Sequence, residues 1–268
     1  MIMVLMSILL LASCSEKNTN NKVKEENKSQ EVGASDKSEV DVLTESIAVD
    51  SLNSDLYIQR ARVNLANEKI GTAIKDINTA LSIDRKNIDA HLVLADIYYA
   101  LGDDDNILLT LNKACEYAPL DPRPIVKLSE LSFLQGNANL ANAYIDKALE
   151  LDRFNPRAYF MRAMIALSVN DTAVAMKNFM TARIQDESFV EPKIQIAHIY
   201  AAQNDTVAAK AFFEEAISEV PDDLSLKYEY ALYLQDNGYP EQAILYYDTL
   251  LNAIPNHPDC IYNKGYII

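Results

Sequence analysis

Residues 88–121 read IDAHLVLADIYYALGDDDNILLTLNKACEYAPLD. Apolar residues recur three and four apart on both sides of Gly102, the pattern of two amphipathic helices joined by a short turn. Small or compact residues stand at chosen places in this segment: Ala95 at the eighth, Ile107 at the twentieth and Ala114 at the twenty-seventh. Gly102, at the fifteenth place, falls where a helix C-terminus needs a left-handed residue. Pro119, at the thirty-second, stops the second helix.

The same spacing runs outward in both directions every 34 residues. The eighth place holds Ala61, Ala95, Ser129, Ala163, Ala197 and Ala231, and the twentieth holds Ala73, Ile107, Ala141, Ala175, Ala209 and Ala243. The twenty-seventh holds Ala80, Ala114, Ala148, Ala182, Ala216 and Leu250. Between them, large apolar residues such as Ile74, Ile77 and Leu81 keep helical intervals. The turn place carries Gly102, Gly136, Asn170, Asn204 and Gly238, and Pro recurs as Pro119, Pro221 and Pro255. Six units follow without a slip: 54–87, 88–121, 122–155, 156–189, 190–223 and 224–257. The first unit departs at the turn, with Glu68, while Arg85, Arg153 and Glu187 replace Pro at the boundary. Residues 40–53 read as a ragged capping helix with Ile47, Val49 and Asp50 in register, and 258–268 as the start of a seventh unit. Its Ile261, Ile267 and Ile268 are expected to pack poorly alone, since repeat stacks need a polar face at their ends.

A helix-turn-helix period of 34 residues with these small residues and Pro resembles the tetratricopeptide repeat. The resemblance covers residues 54–257 and implies an all-α, right-handed α-solenoid. It also implies that the first helix of each unit lines a concave groove through its second, fifth, ninth and twelfth places. Those places hold Arg62, Tyr99, Arg123, Phe133, Arg157, Phe160, Met164, Leu167, Ile194, His198 and Tyr228, together with Leu65, Leu92, Asp96, Val126, Glu130 and Leu232. Such a groove suits an apolar helix or extended peptide with some acidic residues, centred on Phe133, Phe160, Met164 and Leu167, although about half of these side chains are expected to pack between helices instead. The Lys and Asn clamp with which some relatives grip a terminal carboxylate is not grouped on adjacent first helices here.

The N-terminus reads as an address. Met1 to Ala12 are apolar except for Ser7, and the chain turns polar after Cys14. Such a run is too short to span a bilayer and suits a secretory signal over residues 1–13, although Met1 to Met6 carry no Lys or Arg. Leu11-Ala12-Ser13-Cys14 resembles a lipobox, which implies lipidation of Cys14 and membrane anchoring. Residues 14–39 are polar and read as a tether that cannot offset its own ordering entropy. Ser15 after the lipidated Cys resembles an export-permitting residue, so an outer-membrane, cell-envelope location is expected.

Composition excludes several classes. Lys and Arg number 24 against 39 Asp and Glu, a net charge of −15 that repels phosphate backbones and excludes nucleic acid as a partner. His91, His198 and His257 are far apart, and no zinc pair, nucleophile elbow or phosphate loop is present, so neither enzyme chemistry, a cofactor nor a small-molecule substrate is expected. His91 and His257 fit packing places, and Cys115 and Cys260 fit apolar helical faces as buried thiols. Asp171-Thr172-Ala173, Asp205-Thr206-Val207 and Asp50-Ser51-Leu52 resemble a bacterial O-glycosylation pattern at Ser51, Thr172 and Thr206, with helix N-capping as the plainer reading. The sequence thus points to a membrane-anchored scaffold binding a protein or peptide. Its rivals are an assembly factor for a pilus or secretion apparatus, an adaptor for an envelope protease, or the N-terminal part of a larger enzyme or transporter subunit. Mass spectrometry of the N-terminal peptide from native cells is expected to find Cys14 first in the chain and acylated; an unmodified Cys14 preceded by its leader contradicts the lipobox.

Overall fold

The computed structural model describes residues 37–268; the signal, Cys14 and most of the tether lie outside the described residues. Fourteen helices and no strand are found among the described residues. They fall into two compact units, one ending at Arg153 and the other running from Phe154 to Ile268. The first holds α1 (Glu39–Val49), α2 (Ser54–Ala66), α3 (Ile70–Ile83), α4 (Ile88–Leu101), α5 (Asp104–Tyr117), α6 (Pro122–Leu134) and α7 (Ala138–Leu151). The second holds α8 (Pro156–Ser168), α9 (Thr172–Gln185), α10 (Val190–Ala202), α11 (Thr206–Glu219), α12 (Leu224–Asp236), α13 (Pro240–Ala253) and α14 (Pro258–Ile267). Helix α1 starts one residue before the expected capping segment, after Ser38, whose hydroxyl caps it by accepting the Asp41 amide.

Each repeat is a hairpin whose two helices cross at the small residues. All eighteen residues at the eighth, twentieth and twenty-seventh places are buried, none more than 4 % exposed. A methyl group at the crossing lets two backbones approach to the lower end of the usual ~8–10 Å helix separation. Ser129, the one hydroxyl among them, spans such a crossing: its Oγ donates to the Ala141 carbonyl at 2.9 Å, which removes the cost of burying it. Between crossings, large apolar residues interlock. Ile58, Ile77, Val93 and Ile97 join α2, α3 and α4 in one cluster, and Leu92, Ile107, Leu111, Leu128 and Leu131 join α4, α5 and α6 in the next. In the second unit Phe213, Leu226, Tyr230, Leu234, Tyr247 and Leu250 form an aromatic core across α11, α12 and α13. Burial pushes the Tyr247 phenol up to about 12, and its hydroxyl donates to Gln235 Oε1 at 2.9 Å.

Helix starts follow local chemistry. Asn87, Asp103, Asp121, Asn137, Asn155, Asp171, Asp205 and Asp223 each accept a backbone amide from the first turn of the helix they precede. Pro122, Pro156, Pro240 and Pro258 stand in the first turn, where a missing N–H costs nothing. Helix ends are less dependent on Pro than its recurrence implies. The second helices end at Ile83, Leu151 and Gln185 in units without Pro, the same place as Tyr117, Glu219 and Ala253 in units with it. The following residue turns to extended backbone near φ −130 in each type, as at Asp84 and Ile254.

The turn between the paired helices behaves differently. Gly102, Gly136 and Gly238 are left-handed, and so are Asn170, Asn204 and Glu68, at φ +61, +60 and +60. Glu68 thus adopts the conformation that its equivalents meet with Gly or Asn, against the Cβ penalty of the left-handed region. Replacing Glu68 by Gly is expected to raise stability by roughly 0.5–1 kcal/mol, with Gly102→Glu lowering it by a similar amount. Urea unfolding monitored by circular dichroism checks both signs.

Candidate functional site

The first-helix faces carry the residues assigned to binding, and the structure sorts them into three groups. One group is core. Phe160 is 8 % exposed and packs on Phe179 and Phe189 with ring centroids 5.6 and 5.3 Å apart, and Met164 is 2 % exposed. Leu92 and Val126, at the same fifth place, are also buried. The expected groove centre is therefore corrected: Phe160 and Met164 are buried in α8, and Phe160 ties it to Phe179 of α9 and to Phe189, which precedes α10. With Phe160 and Met164 buried and Leu167 and Phe133 half-buried, the four do not form an exposed surface.

A second group is charged and already paired. Arg123 donates from Nη1 to Asp89 at 2.9 Å and from Nε and Nη2 to Asp121, while Arg62 stands 3.7 Å from the same Asp89. The Asp121 partnership holds the Arg123 guanidinium above its ordinary pKa; burial pushes the Asp121 carboxyl up, but Arg123 outweighs it and holds the group down. Lys127 pairs with Asp96 one repeat back. Arg62 and Arg123, expected to meet acidic residues of a partner, instead lace α2, α4 and α6 together through Asp89. Arg157 lies with its guanidinium 5.6 Å from the Phe189 ring, within cation–π range.

A third group remains half-exposed. Tyr99 is 39 % exposed, and Ile194 and Tyr228 are half-buried edges of the aromatic core in the second unit. Tyr228 accepts from Asn263 Nδ2 at 3.2 Å, and burial together with the Asp259 charge raises its phenol pKa. His198 Nε2 lies 2.7 Å from Glu229 Oε1 without the alignment of a hydrogen bond, and its ring meets Phe213 edge-on at 5.4 Å. Thus α10 and α12 meet through His198 and Glu229, and α12 and α14 through Tyr228 and Asn263, on the first-helix side.

Elsewhere the structure shows two features that sequence reading missed. Asp89 is the hub of the arginine ladder; its clue was that Asp89 and Arg123 share the second place of adjacent repeats. Lys193 is 1 % exposed, bonded to Glu219 at 2.9 Å and close to Glu215, which Arg183 holds bidentately at 2.9 and 3.0 Å. Burial pushes the Glu215 carboxyl up, but Arg183 and Lys193 outweigh it and keep it below its ordinary range. At the glycosylation-like positions, Asp171 and Asp205 do the capping, so Thr172 and Thr206 are not caps. Thr172 and Ser51 are exposed, whereas Thr206 is half-buried and accepts from the Tyr239 hydroxyl at 3.4 Å. Among the described residues no three His, Cys, Asp or Glu could share a metal ion, and no helix is long and apolar enough to cross a membrane. His91 packs against the Tyr117 ring and meets the Arg85 carbonyl through Nε2; Cys260 is buried and Cys115 half-buried.

With these hairpins in view, the fold is an all-α solenoid of tetratricopeptide repeats, and residues 190–223 match the tetratricopeptide repeat family model. No curated protein matches the sequence. Among solved structures, the chain is similar to one in the APC/C hetero-tetramer Cut9-Hcn1, with TM-score 0.66, 16% identity, 86% of this chain and 46% of that chain covered. It therefore spans less than half the length of that protein. A tetratricopeptide repeat protein from Parabacteroides merdae ATCC 43184 aligns with TM-score 0.58 at 18% identity, over 85% of this chain and 90% of that one. PilW, a type IV pilus biogenesis factor, aligns with TM-score 0.57 at 22% identity, over 78% of this chain and 97% of that one.

The division between core and surface gives a direct expectation. Phe160→Ala should cost about 3–5 kcal/mol, the usual range for emptying a buried aromatic site, whereas Tyr99→Ala should change stability by no more than about 0.5 kcal/mol. Chemical denaturation of the two variants measures the contrast; equal losses would contradict the assignment.

Proposed function

We propose that the protein is a non-enzymatic interaction scaffold, which captures a protein or peptide on the first-helix faces of its repeats and is held in the bacterial cell envelope by lipidated Cys14. The observation that carries the reading is that each unit keeps half-exposed apolar side chains on its first helices, Tyr99 and Phe133 in one and Ile194 and Tyr228 in the other. Rigid hairpins position these side chains, so a partner loses entropy on binding but the scaffold loses little. Residues 14–36 would place the repeats within reach of other envelope proteins, raising the effective concentration of membrane-held partners. The outer membrane is the preferred location, on the strength of Ser15 after Cys14.

A narrower reading is an assembly factor for a pilus or secretion apparatus. The likeness to PilW over 97% of that protein's length favours it at the level of fold. Photo-crosslinking in intact cells, from a probe replacing Tyr99 or Tyr228, is the test of the scaffold. One defined partner should be captured from these positions and not from Lys113, an exposed second-helix position. Equal capture from Lys113, or none from either face, overturns the reading. Cys14→Ala should release the chain from the membrane fraction without changing what purified protein captures, and retention would sink the anchor alone.

A further inference from the structure

The first and last helices described are incomplete repeats of complementary kinds. Helix α14 has the register of a first helix. Its Cys260 and Ile267 join the aromatic core, Asn263 bonds Tyr228, and Lys264 pairs with Asp248. These four stand three and four apart and mark the face turned to the rest of the unit. The other side carries Ile261 and, four and seven residues on, Gly265 and Ile268, so of the three isoleucines expected to pack poorly only Ile267 is covered. Gly265 and Ile268 occupy the eighth and eleventh places of this seventh unit. In the six preceding units the eighth place is never more than 3 % exposed, because a second helix crosses it. Among the described residues none crosses α14: Ile261 is 51 % and Ile268 86 % exposed, and a Cβ on Gly265 would meet nothing within 4 Å. Helix α1 is the converse, a second helix with no first helix before it among the described residues. It packs on α2 and buries Leu43 and Ile47, while Val42, Ser46 and Val49, again four and seven apart, share the opposite side. Val42 is 49 % and Val49 90 % exposed.

We propose that these two faces pair between copies of this chain, α1 of one copy lying antiparallel across α14 of the next as its second helix, so that copies associate head to tail. The contacts inside the repeats give the register. The eighth place reaches the twentieth where Ser129 bonds the Ala141 carbonyl at 2.9 Å, and the eleventh meets the twenty-third where Asn64 donates to Asp76 at 3.3 Å. By the same rule Ile268 meets Val42 and Gly265 faces Glu39. Gly265 has no side chain to hold that crossing apart, and Glu39 is the first residue of α1, so its carboxylate extends past the helix end into water. Ser46, at the twenty-seventh place, keeps the small volume that this place has in most of the units. Ile261, Gly265 and Ile268 on one side and Val42, Ser46 and Val49 on the other carry no charge, so the contact buries apolar surface without stranding an ion. The two faces differ, which makes the contact heterologous: it propagates from copy to copy instead of closing as a two-fold dimer. The inference is independent of what the first-helix faces capture and of the anchor at Cys14.

Sedimentation velocity of the full chain should show association that rises with concentration, and Gly265→Leu should weaken it about tenfold by overfilling the crossing. A leucine there meets nothing in its own copy and favours helix over glycine, so the variant folds, and an unchanged circular dichroism spectrum verifies it. Each copy carries a charge of −15, so added salt should tighten the association by screening the repulsion. Oxidising a mixture of Val42→Cys and Ile268→Cys chains should join the two variants through those residues, identified by mass spectrometry of the linked peptides. Lys113→Cys, at an exposed second-helix position, should not join Ile268→Cys. A chain that stays monomeric, association that ignores Gly265→Leu or loosens in salt, or equal joining through Lys113→Cys overturns the proposal. An Ile268→Cys homodimer in place of the mixed product gives the face to a second α14 and overturns the head-to-tail contact. Crosslinking of Ile268→Cys in intact cells to a different protein, with no mixed product, gives it to a partner and overturns self-association.

Discussion

The structure depends on close approach of two helix backbones at the eighth, twentieth and twenty-seventh places of each repeat. Alanine there has no side-chain entropy to lose and no volume to hold the helices apart, so large side chains on either side can interlock. Where the place holds something else, the neighbours compensate. Ser129 turns its hydroxyl onto the Ala141 carbonyl, and Leu250 fits beside Tyr247 in the aromatic core. Ile107 fills the corresponding space between Leu92 and Leu128. Every side chain assigned to binding is positioned by these contacts, because the hairpin fixes which part of the first helix faces outward.

Charge is arranged around that frame with little left over on one face. Lys193 illustrates the buried extreme: an ammonium removed from water is tolerable only with carboxylates at hydrogen-bond distance, and Glu219 and Glu215 supply them from α11. Arg60 does the same at lower burial, donating from Nε and Nη2 to Asp76, which Asn64 also contacts. The Arg62, Asp89 and Arg123 ladder is more exposed and adds modest stability, but it fixes which charges a visiting chain meets.

The period, the crossings and the turn were legible in the sequence because each is enforced by sterics at a single place. Glu68 shows how strong that enforcement is: the chain turns left-handed there even without Gly or Asn. Pro was a weaker guide, since units with Arg85, Arg153 or Glu187 in its position end their second helices at the same place. The binding face was legible only in part. Register states that Phe160 and Tyr228 share the fifth place, but it does not state that Phe160 meets Phe179 and Phe189 and becomes core. Nor does register show that Arg62 and Arg123 converge on one carboxylate, which depends on rotamers and on the spacing of neighbouring first helices.

One place in a repeat therefore has a fixed backbone environment and a variable role. At the ninth place Arg62 is exposed, Met164 is buried and His198 is half-buried against Phe213, although all three occupy the same turn of the same kind of helix. The difference comes from the volumes around them. Phe179 and Phe213 on the second helix reach the first helix, against Phe160 and against His198, whereas the equivalent place holds Ile77 and Leu111 in the first unit. The first unit, aliphatic at that place, carries the arginine ladder on its first helices, and the second unit makes aromatic contacts there. The same crossings thus carry two different first-helix faces, and the second-helix residue opposite them differs as well.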